Sequence, residues 1–341
     1  MYYILAILIF GILIFVHEAG HYTAARIFHV TINEFSIGMG PKLISKKSGK
    51  TGISYSLRLL PIGGFVSMAG EDDECEDENA LFNKPAWQRF IIMIAGSFMN
   101  LVAGFIVTLI LVLSVGHVYG TTVTGFAEGA LSGTTGLKEG DRIVSVEGHA
   151  TGTLYDLSYD LMRYAGEDTT LTVIRNGQKT VITGVSFPVY EDGYALRDFN
   201  VNEEKFGFLG VIKQTAIRSV TMIRIVYDSL YDLITGKYGI KDMSGPVGVT
   251  KVIGDAAAAN DGGQTLFYLV SLIAVNLGIF NLLPFPALDG FRALLIVIEK
   301  ISGKRINKKI EGYINFAGLA LLMILMVVVT FSDVSSLFGK S

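Results

Sequence analysis

The sequence predicts a membrane α-helical protein with four transmembrane helices, into which a small α+β domain and a membrane-associated β segment are inserted. Half of the 341 residues are hydrophobic and only 17% are charged, whereas soluble domains carry about 25% charged residues. Several apolar runs reach the length of about 20 residues that a helix needs to cross a bilayer. The net charge of −3 gives no basis for nucleic-acid binding, and the single cysteine excludes an internal disulfide.

The first apolar run, Tyr2–Val16, continues into His-Glu-Ala-Gly-His at residues 17–21. We assign residues 1–29 to the first transmembrane helix. A secretory signal peptide is the alternative, but no basic residue precedes the run and no small-residue cleavage site follows it. The remaining spans are predicted at residues 90–115, 263–298 and 312–332.

The orientation of the spans follows from the basic residues of the short loops, which collect on the cytoplasmic side. The segment between the end of the uncharged third apolar run at Leu288 and the fourth span is rich in them: Arg292, Lys300, Lys304, Arg305, Lys308 and Lys309. Because spans alternate, the loop at residues 30–89 is also predicted to be cytoplasmic. The stretch between the second and third spans is then extracytoplasmic.

Residues 117–190 have the composition of a small soluble domain. Strand-type runs at residues 141–147 and 171–175 are bounded by glycines, and Asn176-Gly177 predicts a tight hairpin. A helix is expected at residues 154–164. The segment Gly136–Gly148 resembles the core of bacterial PDZ domains, and this resemblance implies binding of an extended peptide or a peptide C-terminus. A β-rich spacer without a ligand is the alternative.

Residues 191–262 are predicted to be a linker that contains an amphipathic helix at about 206–236. At 100° per residue the charged side chains of this helix fall within an arc of about 140°: Lys213, Arg218, Arg224, Asp228 and Asp232. The helix is expected either at the membrane surface, in contact with the lipid bilayer, or packed on the preceding domain.

The His-Glu-x-x-His pattern at residues 17–21 predicts a metal site. On a helix His17 and His21 lie one turn apart, about 40° from each other, so both imidazoles can reach one ion. Glu18 lies about 100° from His17, where it can act as the general base of a metalloprotease. Two histidines and a glutamate in an apolar helix are expensive in lipid. The alternative is that these side chains reach the polar interface without binding a metal.

A catalytic zinc site normally has three protein ligands. Asp289 follows the apolar third span at the same membrane side as His17 and His21, whereas His29 lies about 12 Å farther along the first helix. Pro284 and Pro286 interrupt the third span just before Asp289, and broken backbone at membrane depth is tolerated only where it lines protein or a cavity. Topology therefore selects Asp289 as the third ligand.

The His-Glu-Ala-Gly-His motif, together with Asn-Leu-Leu-Pro-Phe-Pro-Ala-Leu-Asp-Gly at residues 281–290, resembles the site-2 protease family of intramembrane zinc metalloproteases. The order of spans and PDZ-like domain is similar to that of its bacterial plasma-membrane members, which cut anti-sigma factors and remnant signal peptides. The resemblance implies zinc bound by His17, His21 and Asp289, with Glu18 as the catalytic base. Asn281 matches an asparagine that holds the substrate backbone.

Three further matches accompany this resemblance. Ser244–Gly248 is a stretch common in the family, and Asn100 keeps a second-span asparagine, although Ser97 stands where a proline is frequent. The sequence at about 52–67 alternates like a hairpin, with Gly63-Gly64 available for a bend, and resembles the family's membrane-associated β segment. We therefore place Gly63 and Gly64 with Asn281, Pro284 and Pro286 among the substrate-binding residues. A plain surface hairpin is the alternative for this segment.

The function predicted from these features is hydrolysis of peptide bonds within transmembrane segments of membrane proteins. The substrates would be anti-sigma factor-like proteins already cut outside the membrane, or remnant signal peptides. Two other functions remain open from the residues alone. Intramembrane histidine and aspartate also mark ion paths, which suggests a zinc transporter, and the PDZ-like domain alone could serve a non-catalytic membrane scaffold.

Overall fold

The computed structural model contains helices long and apolar enough to cross a membrane at four places in the described part of the chain. The structure describes residues 2–71, 76–166, 168–189, 195–204, 207–237, 239, 243–261, 263–304 and 306–338. Cys75 lies outside these residues. The chain divides into two compact units, a helical unit of residues 1–107 and 223–341 and an inserted unit of residues 108–222. A membrane protein that combines apolar helices with β segments is thus confirmed.

The helical unit is built from long apolar helices with shorter ones between them. The candidate membrane spans are α1 (Tyr2–Ile27), α2 (Ala86–Val115), α7 (Gln264–Leu282) and α9 (Lys308–Phe338, apolar through Ser335). Two shorter helices are α6 (Pro246–Ala258) and α8 (Asp289–Ser302). Most side chains of the spans face outward, as expected for helices whose solvent is lipid.

Two long strands, β1 (Ile32–Lys47) and β2 (Ser54–Met68), form a separate sheet in the helical unit. Residues 34–37 of β1 pair on one side with 54–57 and on the other with 64–67 of β2. Both strands therefore fold back on themselves, and glycines with φ of +84° stand near the bends at Gly38, Gly40 and Gly63. Segment 64–67 is an edge of this sheet, with no second strand partner among the described residues.

The third predicted span is interrupted in the structure. The sequence places one span over residues 263–298, whereas α7 ends at Leu282 and α8 begins at Asp289. Proline lacks a backbone N–H, so the helix cannot continue through Pro284 and Pro286. Ala287 in this break has a φ of +77°, which is unfavourable for a residue with a Cβ. Its N–H donates to Asn315 Oδ1 of α9 at 3.1 Å, which supports the turn.

The predicted motif at residues 244–248 begins α6 and binds a carboxylate of α9. Asp333 accepts hydrogen bonds from the Gly245 N–H at 3.2 Å and the Gly248 N–H at 2.8 Å. A Cβ at Gly245 or Gly248 would lie 2.8 or 3.0 Å from an Asp333 carboxylate oxygen. The glycines therefore allow a helix N-terminus to meet a buried carboxylate, which is stabilised by the helix dipole.

The inserted unit has a six-stranded sheet, with strand order β7-β6-β4-β3-β8 and β5 paired to β4. The strands are β3 (Val118–Phe126), β4 (Arg142–Val146), β5 (His149–Ala150), β6 (Thr169–Arg175), β7 (Gln178–Val185) and β8 (Phe199–Glu204). Short α3 (Leu131–Thr134) follows β3, and α4 (Leu154–Tyr164) occupies the segment for which the sequence predicts a helix. Asn176 and Gly177, both with positive φ, join β6 to β7 as a two-residue hairpin.

The helix α5 (Phe208–Ile234) exposes many of its large apolar side chains and buries both polar and apolar ones. The buried residues are Val211, Gln214, Thr215, Thr221, Met222, Val226 and Asp232. The exposed residues are mostly large and apolar: Phe208, Leu209, Ile212, Val220, Tyr227, Tyr231 and Ile234. The sequence predicts the two faces of this helix but does not say which one is turned inward. Exposed large apolar side chains are typical of a helix in contact with lipid.

Candidate metal centre

The helix α1 carries the centre's two histidines on one side. His17 and His21 are both buried and lie one helical turn apart. Glu18 is partly exposed on the adjoining face. An imidazole buried among apolar residues needs a polar partner, and each of these two has partners from other helices.

Asp289 completes a group of three ligand-type side chains. Its Oδ2 lies 2.9 Å from His17 Nε2 and 3.2 Å from His21 Nε2. The two histidine Nε2 atoms are 3.2 Å apart. Three ligands held about 2.0–2.1 Å from a tetrahedral zinc are separated by about 3.3 Å. Two imidazole nitrogens and one carboxylate oxygen at these separations therefore fit zinc in both geometry and donor type.

The second nitrogen of His21 is fixed by the backbone of α2. The Nδ1–H of His21 donates to the Ile92 carbonyl oxygen at 2.8 Å. This bond places the proton on Nδ1, so that the Nε2 lone pair is free for a metal. Backbone carbonyls give no signal in a sequence, and Ile92 is one functional residue that the sequence could not indicate.

The second nitrogen of His17 contacts an amide of α2. Asn100 Nδ2 lies 3.3 Å from His17 Nδ1, and Asn100 Oδ1 is buried without a hydrogen-bond partner in the described part of the chain. When His17 Nε2 binds a metal, Nδ1 carries the proton and needs an acceptor. A half-turn of the amide supplies Oδ1 as that acceptor. Asn100 is thus suited to orient His17. The feature of the sequence that could indicate this role is an amide side chain within an apolar span.

Two glycines allow α1 and α2 to approach at the centre. A Cβ on Gly20 would lie 2.4 Å from the Ala95 carbonyl oxygen. On Gly96 it would lie 2.3 Å from His21 Nε2 and 2.8 Å from His17 Cε1. Small residues let membrane helices pack closely. Here they bring the Ile92 carbonyl and Asn100 into range of the histidines.

Ion pairs hold α8, which begins with Asp289. Arg292 pairs with Glu71, and Glu299 pairs with Arg89 of α2 at 2.8 Å. These four side chains line a cavity of about 660 Å³ in the helical unit. The position of Asp289 is therefore tied both to α2 and to the segment that follows β2.

The catalytic candidate Glu18 lies against the edge of the small sheet. A Cβ on Gly64 would be 3.2 Å from Glu18 Cγ and 2.9 Å from the Ser36 carbonyl oxygen. Gly64 therefore leaves space for the glutamate side chain beside segment 64–67. At Gly63 the nearest atoms to an added Cβ belong to the Met39 side chain, the first of them at 2.7 Å.

The remaining predicted substrate-binding residues lie around the break before Asp289. Asn281 is half-buried in the last turn of α7, and Pro284 is exposed. Pro286 packs against α9, since a Cβ on Gly318 would lie 2.5 Å from Pro286 Cβ. The histidines outside the centre, His29, His117 and His149, belong to no group of metal-ligating side chains found in the described residues.

Comparisons with known proteins agree with this chemistry. The model of peptidase family M50 matches residues 5–325. A Clostridium acetobutylicum protein named "Putative zinc metalloprotease" is 39% identical over 97% of this chain and 96% of its own length. A "Zinc metalloprotease RasP" from Shouchella clausii is 29% identical over 98% of both chains. The "Regulator of sigma-W protease RasP" of Bacillus subtilis is 29% identical over 97% of this chain and 98% of its own length.

Proposed function

The chain belongs to peptidase family M50 and is a zinc metalloprotease, and from this premise we propose that it hydrolyses peptide bonds within the transmembrane segments of other membrane proteins. The observation that carries the proposal is the position of the centre. His17 and His21 lie in α1, a helix apolar enough to span a bilayer. A hydrolytic site at that position acts on a bond that has entered the membrane.

The proposed ligands of the zinc are His17, His21 and Asp289. When bound, zinc supplies Lewis-acid chemistry, because it acidifies water and polarises a carbonyl. His21 keeps its metal-facing nitrogen unprotonated by donating Nδ1–H to the Ile92 carbonyl, and His17 would do the same by donating Nδ1–H to Asn100 Oδ1 once that amide has made a half-turn. Asp289 adds a negative charge, and Arg292 and Glu299 hold its helix in place.

Glu18 is the proposed general base and then the general acid. Its carboxylate takes a proton from the attacking water as the new carbon–oxygen bond forms. It returns that proton to the amide nitrogen as the carbon–nitrogen bond breaks. One carboxylate can serve both steps because it ends in the state in which it began. Its place beside Gly64, partly exposed, allows it to reach a bound peptide.

A substrate helix must unwind before cleavage, because a helical carbonyl is already hydrogen-bonded and shielded. Segment 64–67 offers free backbone N–H and C=O groups of an edge strand to an extended peptide. Gly64 would place the peptide next to Glu18, while Gly63 permits the bend that presents this edge. Asn281 would bind the substrate backbone from the other side. Pro284 and Pro286 would keep the break before Asp289 open.

The proposed substrates are membrane proteins with a transmembrane helix. The Bacillus subtilis relative is named "Regulator of sigma-W protease RasP". We therefore propose that the substrates of this chain are anti-sigma factor-like proteins already cut outside the membrane, or remnant signal peptides. The basic residues from α8 to the start of α9 favour a cytoplasmic location for the centre. The inserted unit would then lie outside, where a PDZ-like domain could meet the cut end.

The test is Glu18→Gln in the full chain, assayed with a membrane-inserted reporter. Loss of a general base lowers hydrolysis by about 10²- to 10⁴-fold, whereas zinc content should stay at the wild-type level. Glu78→Gln removes an exposed carboxylate from the loop after β2 and is the matched control, expected to cleave normally. Cleavage of the reporter by the Glu18 variant at the wild-type rate would exclude this role.

A further inference from the structure

The break between α7 and α8 has one backbone donor whose acceptor belongs to another helix. Within residues 283–288, the N–H groups that donate to carbonyls of the break or of the last turn of α7, at 2.8–3.1 Å, are those of Leu283, Phe285 and Leu288. Pro284 and Pro286 have no N–H. The remaining donor, the N–H of Ala287, reaches the side chain of Asn315 in α9.

Ala287 also has the backbone conformation that most needs support. Its φ of +77° lies in the left-handed region, where a Cβ comes too close to the following carbonyl oxygen. Leu288 is then extended, with φ of −102° and ψ of 158°, and α8 begins at Asp289. A return of Ala287 to negative φ would change the direction of the chain two residues before Asp289. The position of this proposed ligand therefore depends on the conformation of Ala287.

The amide oxygen of Asn315 supports that conformation. Asn315 Oδ1 accepts the Ala287 N–H at 3.1 Å. Asn315 lies in α9, one of the apolar helices long enough to span a membrane, where an amide without a polar partner is unfavourable. Asparagine side chains in such helices form hydrogen bonds that link one helix to another. The bond thus gives partners both to the amide and to a backbone donor that has no acceptor within the break.

Gly318 brings the backbone of α9 against the same segment. It lies three residues after Asn315, on the same side of the helix. Gly318 is buried, whereas Phe316 between them is 72% exposed. A Cβ on Gly318 would lie 2.5 Å from Pro286 Cβ and 2.6 Å from the Pro286 carbonyl oxygen. The close contact and the hydrogen bond therefore act on adjacent residues of the break, Pro286 and Ala287.

We propose that Asn315 is a positioning residue of the metal centre. It holds Ala287 in the left-handed conformation and so places Asp289 within reach of His17 and His21. Asn315 acts through the backbone of the break rather than by contact with zinc or substrate. The inference rests on the proposed role of Asp289 as a zinc ligand, and it gives a function to α9, a span in which the sequence predicts no functional residue.

The experiment measures the zinc affinity of the full-length protein in detergent at buffered free zinc concentrations. Asn315→Leu removes the acceptor and should lower the affinity by about 10-fold, the lower end for loss of an outer partner. Tyr313→Leu adds a leucine to the same helix at a position that is 76% exposed, and it should bind zinc normally. Equal affinities of these two variants would overturn the proposal.

A glycine at position 287 separates positioning from packing. Glycine adopts positive φ without a steric penalty, so Ala287→Gly alone should bind zinc like the wild type. Combined with Asn315→Leu, it should recover most of the lost affinity, because the turn no longer needs the amide to hold it. A general loss of packing between α9 and the break would not be reversed in this way. Failure of Ala287→Gly to raise the affinity of the leucine variant would therefore contradict the proposed role.

Gly318→Ala tests the same contact while Asn315 stays in place. Its methyl group would need space that Pro286 occupies, so the break must move away from α9, and zinc affinity should again fall by about 10-fold. Gly312→Ala is the matched control, because no described atom lies within 4 Å of a Cβ there. Wild-type affinity in Gly318→Ala would show that the position of the break on α9 does not affect the centre.

A double-variant cycle separates this inference from the proposed ligand set. In an Asp289→Ala background, Asn315→Leu should cause no further loss of zinc affinity, because its effect passes through the missing side chain. A further loss of about 10-fold in that background would overturn the positioning role and leave Asp289 as a ligand. Wild-type zinc affinity in Asp289→Ala itself would instead refute the ligand set, and the inference with it.

Discussion

The inserted unit and the metal centre of the helical unit both contain carboxylates with little exposure, but these carboxylates have different partners. In the inserted unit, Asp156 accepts N–H bonds from Gly152 and Thr153, each at 2.7 Å. Asp198 accepts the Ser132 N–H at 3.0 Å. Each carboxylate has donors that belong to the fold itself. In the helical unit, Asp289 instead meets two imidazole nitrogens that also face each other.

This difference separates structural polar groups from functional ones. Once Nδ1 of each histidine has its proton, the three converging atoms of the metal centre all carry lone pairs. Atoms of this kind repel one another unless a cation lies between them. Asp156 and Asp198 are satisfied by donors of their own unit, whereas the three atoms of the metal centre need a bound cation. Variants of the two units should therefore differ in whether they change zinc binding or folding.

The largest expected effect is that of Asp289→Ala, which removes one of three proposed ligands. Loss of a residue that only orients a ligand lowers metal affinity by about 10- to 100-fold, and loss of a ligand should exceed this. The measurement is zinc bound per chain at a buffered free zinc concentration. Asp261→Ala, at the other end of α7, is the control and should bind zinc normally. Full zinc content in the Asp289 variant would remove it from the ligand set.

A smaller effect is expected for Gly96→Ala, which leaves every ligand in place. The added Cβ would need the space that His21 Nε2 occupies, so one histidine must move. We expect zinc affinity to fall by about 100-fold, the upper end for a disturbed outer partner.

Gly104→Ala, in the same helix α2, is the matched control for that variant. Its added Cβ would lie 2.8 Å from Val275 Cγ2 of α7. Overpacking there typically costs about 1–3 kcal/mol of stability without touching a ligand. Equal zinc affinities for the two glycine variants would mean that general loss of packing explains both.

The role of Asn100 distinguishes orientation from packing. Asn100→Leu removes the acceptor for His17 Nδ1–H, and zinc affinity should fall by about 10-fold. Asn100→Asp keeps an acceptor and should bind zinc more tightly than the leucine variant. Asn276→Leu, an exposed amide in α7, should have no effect. If the leucine and aspartate variants bind zinc alike, Asn100 does not act through the imidazole.

Side-chain chemistry at fixed spacing was the part of the molecule that the sequence predicted best. Membership of the family, zinc and metalloprotease activity are confirmed by the comparisons. His17 and His21 are four residues apart in an apolar run, so that local helix geometry alone brings them together. Asp289 required topology as well, because it lies in a distant segment. The PDZ-like character of the inserted unit stays a prediction.

Two kinds of feature could not be predicted from the sequence: contacts made by backbone atoms, and the face that a helix turns toward the protein interior. The Ile92 carbonyl looks like any other carbonyl, and Gly96 looks like any other small residue in a span. Which face of α5 turns inward depends on whether the helix is surrounded by lipid or by water. In this structure the polar Gln214 is buried and the aromatic Tyr231 is exposed. The inserted unit also extends beyond the predicted residues 117–190, because β8 pairs with β3 from a later part of the chain.

The smallest effect on the metal centre is expected from Asp141→Asn in the inserted unit. Burial alone raises the pKa of the Asp141 carboxyl, but hydrogen bonds from Arg175 and the Lys138 N–H, with both positive charges, lower it overall. Removing the charge should cost about 1–3 kcal/mol of unfolding free energy and leave zinc content unchanged. The measurement is denaturant unfolding of the full chain, with hydrogen exchange to locate the loss.

The pH dependence gives this prediction its sign. Because the folded pKa of Asp141 is depressed, its stabilisation is present above the unfolded pKa of about 3.9 and is lost as the pH falls through the lower folded value. Stability of β4 and β6 in the wild type should therefore decline below about pH 4, and the asparagine variant should decline less. Thr172→Ser, on β6 without a charge, is the control and should follow the wild-type profile. A variant that loses zinc together with its stability would show that the inserted unit's carboxylates also support the metal centre.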